Sequence, residues 1–299
     1  MESTSDIQYL FIINPISGTA QKENLPDLIY RTLKMDKSRI KIVLTRYAGH
    51  GREIAAEAVK NGIPRVISVG GDGTMNEIAS ALVNTNTALG IIPMGSGNGL
   101  ARHLKIPLKT EKAIAMLNNA SARIIDSGNI NGMPFFCTAG IGLDAHVGKA
   151  FDELPTRGLK TYALAAYHKV REFKGEELIL QVDDKKELRG KYLLTTFANS
   201  NQFGNNAYIA PSASLNDERL NLVLMKPVGL LKAASKFYKL FTKKLEYDKD
   251  VDQTTFRSLT ITRAHEGPAH IDGDPIMLGK TIHVKTIEAS LRVLIPTIY

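Results

Sequence analysis

One cysteine, Cys137, stands among the 299 residues, and tryptophan is absent altogether. A single thiol excludes an internal disulfide framework and a thiolate zinc cage. No apolar run approaches the roughly 20 residues that would span a bilayer. Met1 to Asp6 is polar and leads into a strand-like run, so no secretory leader is expected. A cytoplasmic, reducing location is the default that follows. The chain also lacks a His-Glu-x-x-His pair, a Walker-type lysine after a glycine turn, and the spacing of a dinucleotide fingerprint.

Acidic residues are outnumbered, 30 against 38 lysines and arginines, for a net charge of +8. That balance favours anionic partners such as nucleotides, nucleic acids or acidic lipid surfaces. Residues 1–125 carry 15 basic and 10 acidic side chains and residues 126–299 carry 23 and 20, so neither part is a basic tail. No recognised nucleic-acid module accompanies the charge, and nucleic acid is not expected as a partner. With 43% apolar residues, the length suits one large or two ordinary domains with a substantial core.

The stretch around which the chain is organised is Val66 to Glu77. A β-branched run enters a turn at Gly70 and Gly71 and leaves it through Asp72, Gly73 and Thr74 toward a helix over Met75 to Val83. Such a turn presents unobstructed backbone N–H groups to a triphosphate. Strands are expected at Tyr9 to Ile13, Ile40 to Leu44, Arg65 to Val69 and Leu89 to Pro93. Helices are expected at Leu25 to Leu33, Gly51 to Asn61 and Glu111 to Asn118, with a further helix beginning near Leu100. This alternation predicts an α/β domain with a mostly parallel sheet. The last of those strands opens onto a second glycine turn, Gly95-Ser96-Gly97-Asn98-Gly99, and parallel sheets bind ligands at the carboxyl ends of their strands.

After Arg123 the pattern becomes strand-rich, at Ile124 to Asp126, Pro134 to Ala139, Leu178 to Val182, Tyr192 to Ala198 and Leu220 to Met225. A helical insert is expected from about Gly158 to Phe173, a basic helix over Gly229 to Tyr247, and strands at Arg257 to Thr262, Ala269 to Ile271, Thr281 to Thr286 and Ser290 to Ile295. The division expected is an α/β domain over 1–125, a β-rich domain over 126–289, and a return of 290–299 to the first. In the basic helix, Lys232, Lys236, Lys239, Lys243 and Lys244 surround Leu231, Ala234, Phe237, Tyr238, Leu240 and Phe241. It reads either as a face for anionic lipid or as a core-packed helix with solvated lysines.

Asp72 is the foremost chemical candidate. Beside a triphosphate a carboxylate makes sense if Mg²⁺ bridges the two or if it takes a substrate proton, and otherwise it caps the helix start. Thr74 reads as a phosphate donor or a cap. Asn14, Ser17 and Gly18, in the turn after the first strand, could meet phosphates from another side, as could Ser96 and Asn98. Arg102 could reach an anion. Asp144 reads as a substrate contact or a helix cap, and Asp272 and Asp274 as a proton-accepting turn or a solvated hairpin.

The ordered set Asn14-Pro15-Ile16-Ser17-Gly18, Gly70-Gly71-Asp72-Gly73-Thr74, Gly95-Ser96-Gly97-Asn98-Gly99-Leu100-Ala101-Arg102 and Ile271-Asp272-Gly273-Asp274 resembles the diacylglycerol kinase catalytic family. The resemblance is to its soluble bacterial lipid kinases and to the related sphingosine and ceramide kinases. It implies a nucleotide-binding α/β domain, a C-terminal β-sandwich-like domain and an active site between them. It also implies ATP and Mg²⁺ as cofactors, a lipid substrate met at a membrane surface by transient peripheral association, and leaves a homodimer open. Asn14, Ser17, Gly71, Asp72, Thr74 and Ser96 map onto nucleotide and Mg²⁺ contacts, and Asp144 onto a position near the lipid headgroup.

Two departures from the family pattern stand out. Asp274 occupies the place of a glutamate proposed as base, and in sphingosine kinases the residue matching Asp72 takes that role. Asp217, with backbone oxygens of Ser214 and Arg219, matches a structural Mg²⁺ site in which Glu218 replaces a glycine. The expected activity is transfer of the γ-phosphoryl group of ATP to a lipid hydroxyl. The alternatives are a kinase for NAD or another soluble alcohol, and a non-catalytic nucleotide-responsive membrane adaptor.

Overall fold

The computed structural model describes residues 7–17, 24–152 and 172–297, and for 148–152 the backbone only. Gly18 and nearly all of the expected helical insert lie outside the described residues. The chain divides into two compact units, Met1–Ile125 with Ala289–Tyr299, and Asp126–Glu288.

In the first unit, apolar runs become parallel strands, the inner ones covered on both faces. These are β1 (Tyr9–Ile13), β2 (Ile40–Leu44), β3 (Arg65–Gly70) and β4 (Ala88–Pro93), in the order β2-β1-β3-β4. Every residue of β1 and β4 is buried. The end of β16 (Thr281–Ile295) joins the same sheet, with Val293 opposite Leu89. The connecting helices are α1 (Leu25–Thr32), α2 (His50–Lys60), α3 (Asp72–Leu82), α4 (Gly99–His103) and α5 (Thr110–Met116).

The second unit is an antiparallel sandwich. One sheet runs β12 (Val251–Phe256), β11 (Leu220–Met225), β10 (Leu194–Ala198), β7 (Thr138–Gly142), β14 (Gly267–Ile271), β15 (Asp274–Leu278). The other pairs the first part of β16 with β13 (Ser258–Arg263), then β8 (Glu176–Val182) and β9 (Lys186–Tyr192). Alternation decides which face is inside. Leu178, Leu180 and Val182 of β8, with Leu259, Ile261, Ile282 and Val284, share a core with Ile141, Phe197, Leu222 and Ile271 of the opposite sheet. The architecture is an N-terminal α/β domain followed by a C-terminal β-sandwich.

Several boundaries differ from the sequence reading. The segment 134–139 is two strands, β6 (Met133–Phe135) and β7, because the N–H groups of Phe136, Cys137 and Thr138 turn to the Asp272 carboxylate. The expected strand over Tyr192 to Ala198 is likewise divided, with Tyr192 closing β9 and Leu194 opening β10. Thr281 to Ile295 is one strand that passes through a left-handed residue, Ala289. The basic helix, α7 (Leu230–Phe241), ends before Lys243, which is also left-handed, so it is shorter than periodicity suggests. Preceding it in the chain are β5 (Ser121–Ile130) and α6 (Leu143–Asp152).

Candidate active site

α3 begins at Asp72, three residues before the expected start, with Gly71 as its N-cap and no side-chain cap. Met75, Ile78, Ala79 and Leu82 form its buried stripe, so the helix is fixed against the sheet. Its first N–H groups have no partner within the helix and carry the positive end of its dipole.

The Asp72 carboxylate reaches across to the second glycine turn. Oδ2 accepts the Asn98 N–H at 2.8 Å and Oδ1 accepts the Gly99 N–H at 2.9 Å. Asn98, at φ +53°, folds its side chain back on Gly95, accepting its N–H at 3.0 Å and donating to its carbonyl at 2.7 Å. Arg102 Nε donates to the Gly97 carbonyl at 2.9 Å. The two glycine turns touch, since a Cβ on Gly95 would lie 2.6 Å from the Gly71 Cα. That approach requires glycine at 95, and a Cβ at 71 would sit tightly at 3.3 Å from the Gly95 Cα.

On the other side, Asn14 Nδ2 donates to Thr74 Oγ1 at 2.9 Å, which leaves the hydroxyl proton of buried Thr74 able to donate elsewhere. Ser17 Oγ donates to the Asn14 carbonyl at 3.1 Å. Asn14, Thr74, the glycines, Asp72, Asn98 and Arg102 are therefore brought together within the first unit, with Ser96 exposed on the loop. Glu77 accepts the Gly49 N–H at 2.8 Å and so steadies the start of α2. A groove of about 680 Å³ follows β2 and α2, and its lining includes Pro15 and His50 but none of the glycine-turn residues.

The clamp role of Asp72 has a measurable consequence. Asp72→Asn keeps one acceptor oxygen but sets an NH₂ against a backbone N–H. The loss, about 1.4–2.8 kcal/mol for one unpaired buried donor, should speed amide hydrogen exchange at Asn98 and Gly99 roughly 10- to 100-fold. Unchanged exchange at both would show that the carboxylate does not hold the loop.

His103, at the end of α4, is pulled down to about 4 by burial and is neutral at pH 7. Between its ordinary 6.5 and about 4 the unfolded chain binds a proton that the folded one refuses. Stability should therefore fall as pH drops through that window, by up to roughly 3 kcal/mol. Denaturant titrations from pH 7 to 4 should show this slope, reduced in His103→Gln.

In the second unit, Asp272 and Gly273 have φ +48° and +94°, as a two-residue hairpin turn between β14 and β15 demands. Asp272 is buried, not solvated. Its Oδ1 accepts from Cys137 N at 2.7 Å and Thr138 N at 3.0 Å, and Oδ2 from Phe136 N at 3.0 Å. Asp274, at the exit of the turn, is exposed. Asp144 lies in the first turn of α6. It accepts from Thr196 Oγ1 at 2.8 Å and approaches His270 Nε2 at 3.1 Å, while His270 Nδ1 is buried without a hydrogen-bond partner. His270 carried no signal in the sequence, since a lone histidine in a strand is ordinarily a core residue.

Among the described residues, no three His, Cys, Asp or Glu side chains lie close enough to hold a metal ion. A Mg²⁺ ion beside phosphates needs only one or two carboxylates. Asp72 supplies one such carboxylate, at the place where the two glycine turns meet. At Ser214 to Arg219, Asp217 Oδ1 accepts the Arg219 N–H at 3.3 Å. Glu218 adopts the left-handed backbone of the glycine it replaces, at φ +61°. Its N–H donates to Asp126 Oδ2 and its carboxylate pairs with Arg257 at 2.5 Å.

The profile of the diacylglycerol kinase catalytic domain matches residues 8–130, and that of the YegS C-terminal NAD kinase beta sandwich-like domain matches residues 137–295. The chain belongs to the DAGK-catalytic, YegS-like lipid kinase family. At the family level it is a kinase, a phosphotransferase of the lipid- and NAD-kinase-like class. The nucleotide-binding fold points to ATP use. A protein of Yersinia enterocolitica designated probable lipid kinase YegS-like is 26% identical over 89% of this chain and 90% of its own. An uncharacterised Synechocystis protein is 27% identical over 95% of this chain and 69% of its own.

Solved structures agree on the fold. A diacylglycerol kinase from Bacillus anthracis superposes with TM-score 0.74 at 18% identity, over 96% of each chain. An NAD kinase from Archaeoglobus fulgidus, solved with ATP, gives TM-score 0.51 at 13% identity, over 96% of this chain and 94% of its own. The family assignment rests on both domains, and no described helix is long and apolar enough to cross a membrane.

Proposed function

We propose that the protein transfers the γ-phosphoryl group of ATP to a hydroxyl of a lipid, such as diacylglycerol or a sphingoid-type lipid, in a Mg²⁺-dependent reaction. The observation that carries this reading is the joined pair of glycine turns, with Asp72 fastening the second to the start of α3. Backbone N–H groups at the start of α3 and the Thr74 hydroxyl donate to phosphate oxygens, and the glycines let those oxygens approach the backbone.

Mg²⁺, held by Asp72 together with phosphate oxygens, would offset the charge that builds on the transferring group. The remaining work falls to the chain. Asn14 orients Thr74, and Asn98 keeps the second turn in the shape its partners need. As the alcohol oxygen bonds to the γ-phosphorus, the bond to the β–γ bridging oxygen breaks and ADP leaves. The alcohol proton passes to a carboxylate, for which exposed Asp274 is the proposed acceptor and Asp72 the other candidate. Asp144 is proposed to face the polar end of the acceptor, and Asp217, with Ser214 and Arg219 backbone oxygens, to hold a structural Mg²⁺.

The test offers γ-labelled ATP and Mg²⁺ with mixed micelles containing diacylglycerol, sphingosine or phosphatidylglycerol, and separately with NAD in detergent-free buffer. Label in a lipid supports the reading. Label in NAD alone replaces it with the soluble-alcohol kinase, and ATP binding with no labelled product replaces it with a nucleotide-responsive adaptor.

A further inference from the structure

The helix α7 is mounted with much of its apolar surface outward. At 100° per residue, Leu231, Ala234, Ser235 and Tyr238 share one side, and Leu231 is 90% and Tyr238 68% exposed. The only buried side chain of the helix is a lysine, Lys236, at 4%. Its ammonium donates to Asp248 Oδ1 at 2.6 Å and Asp250 Oδ2 at 2.8 Å, and Lys239 donates to Asp248 Oδ2 at 2.7 Å. Leu240 packs on the unit's smaller core. An amphipathic helix positioned by the hydrophobic effect alone would turn Leu231 inward and the lysines to water. Here a buried ion-pair cluster shares the inward side with half-buried Phe237 and Leu240, and a side chain as large as leucine is left in solvent.

The charge around that face is one-sided. Residues 226–252 contain seven lysines against four acidic residues. Lys226 with Asp252, and Lys236 and Lys239 with Asp248 and Asp250, account for three of each. Lys232, Lys243, Lys244 and Lys249 remain against Glu246, and all four are exposed. Lys243 lies over the Tyr208 ring at 4.5 Å. Tyr247, 79% exposed, adds a second aromatic ring beyond the helix. An apolar and aromatic stripe bordered by exposed lysines is the composition that lies in the interface of an anionic bilayer. A second copy of the chain would set like charges against each other across a symmetric contact.

We infer that α7 docks the protein on an anionic lipid surface, with Leu231 and Tyr238 entering the interface and Lys232, Lys244 and Lys249 meeting headgroup phosphates. This rests on the proposed lipid acceptor only for its purpose, since docking is measured without turnover. The absence of tryptophan supplies the probe, because Tyr238→Trp places one indole in the protein, on the proposed face.

The full chain is mixed with phosphatidylglycerol–phosphatidylcholine vesicles or with phosphatidylcholine vesicles. Expected are flotation with the anionic vesicles that weakens with salt, a blue shift of the Tyr238→Trp emission on those vesicles, and about a tenfold or greater loss of partitioning in Leu231→Glu. Leu231→Glu should leave turnover on a short-chain, monomerically dissolved acceptor unchanged. Equal partitioning of Leu231→Glu and the parent overturns the inference, as does an indole emission that stays unshifted. A concentration-dependent dimer abolished by Leu231→Glu, with no flotation, overturns it in favour of a second copy. Flotation without turnover on any acceptor would remove the kinase reading and leave the docking face standing, and turnover without flotation would do the reverse.

Discussion

Asp274→Asn is expected to lower turnover on a lipid alcohol about a hundredfold to ten-thousandfold while changing stability by no more than about 0.5 kcal/mol. The side chain is exposed at the exit of a hairpin, so little packing is lost with its charge. Asparagine keeps its size and its place opposite Ile271 but cannot take a proton. Asp274→Glu, which supplies the residue common in the family, should keep substantial activity. If Asp274→Asn retained full turnover, the proton would have to go elsewhere, and Asp72 would be left as the acceptor. Steady-state rates with a saturating acceptor, beside thermal unfolding of the same preparations, separate these outcomes.

The carboxylate two residues earlier should give the opposite result. Asp272→Ala is expected to destabilise the protein by about 3–5 kcal/mol, because three backbone N–H groups at the β6–β7 junction lose their acceptor in a buried setting. For a unit of this size that lowers Tm by roughly 10 °C. Alanine is also strained at φ +48°, a conformation that aspartate and asparagine tolerate better. Asp272→Asn should therefore lose less, since it keeps one acceptor oxygen and the backbone preference. A mild effect of Asp272→Ala would mean that the junction finds other acceptors, or that water reaches it.

The contrast between these two residues marks how far the sequence could be read. The Asp-Gly pair announces a hairpin, and the hairpin is there. Nothing local says that Asp272 turns inward, because its partners lie 134–136 positions away. Asp72 is similar. Its place at the end of a strand and the start of a helix followed from the glycine spacing, but its bonds to Asn98 and Gly99 belong to another loop.

The strands divide on the same physical line. β1, β2, β3 and β4 were legible because apolar runs bounded by glycine and polar turns fit a parallel sheet. The strands that escaped, β9, β12 and β15, are all sheet edges. Lys186 to Tyr192 is charged and Val251 to Phe256 largely polar, as an edge must be to resist pairing with another chain. The rotation of α7 was also hidden. Its lysines and apolar residues were visible, but only the partners Asp248 and Asp250 show which side faces the protein.

The most direct measurement of the central claim is an unbiased one. A total bacterial lipid extract is incubated with the purified protein, ATP and Mg²⁺, and the products are identified by mass. The account predicts at least one lipid heavier by a single phosphoryl group, formed only with ATP and lost with Asp274→Asn. A folded, ATP-binding preparation that phosphorylates no lipid in the extract would contradict it.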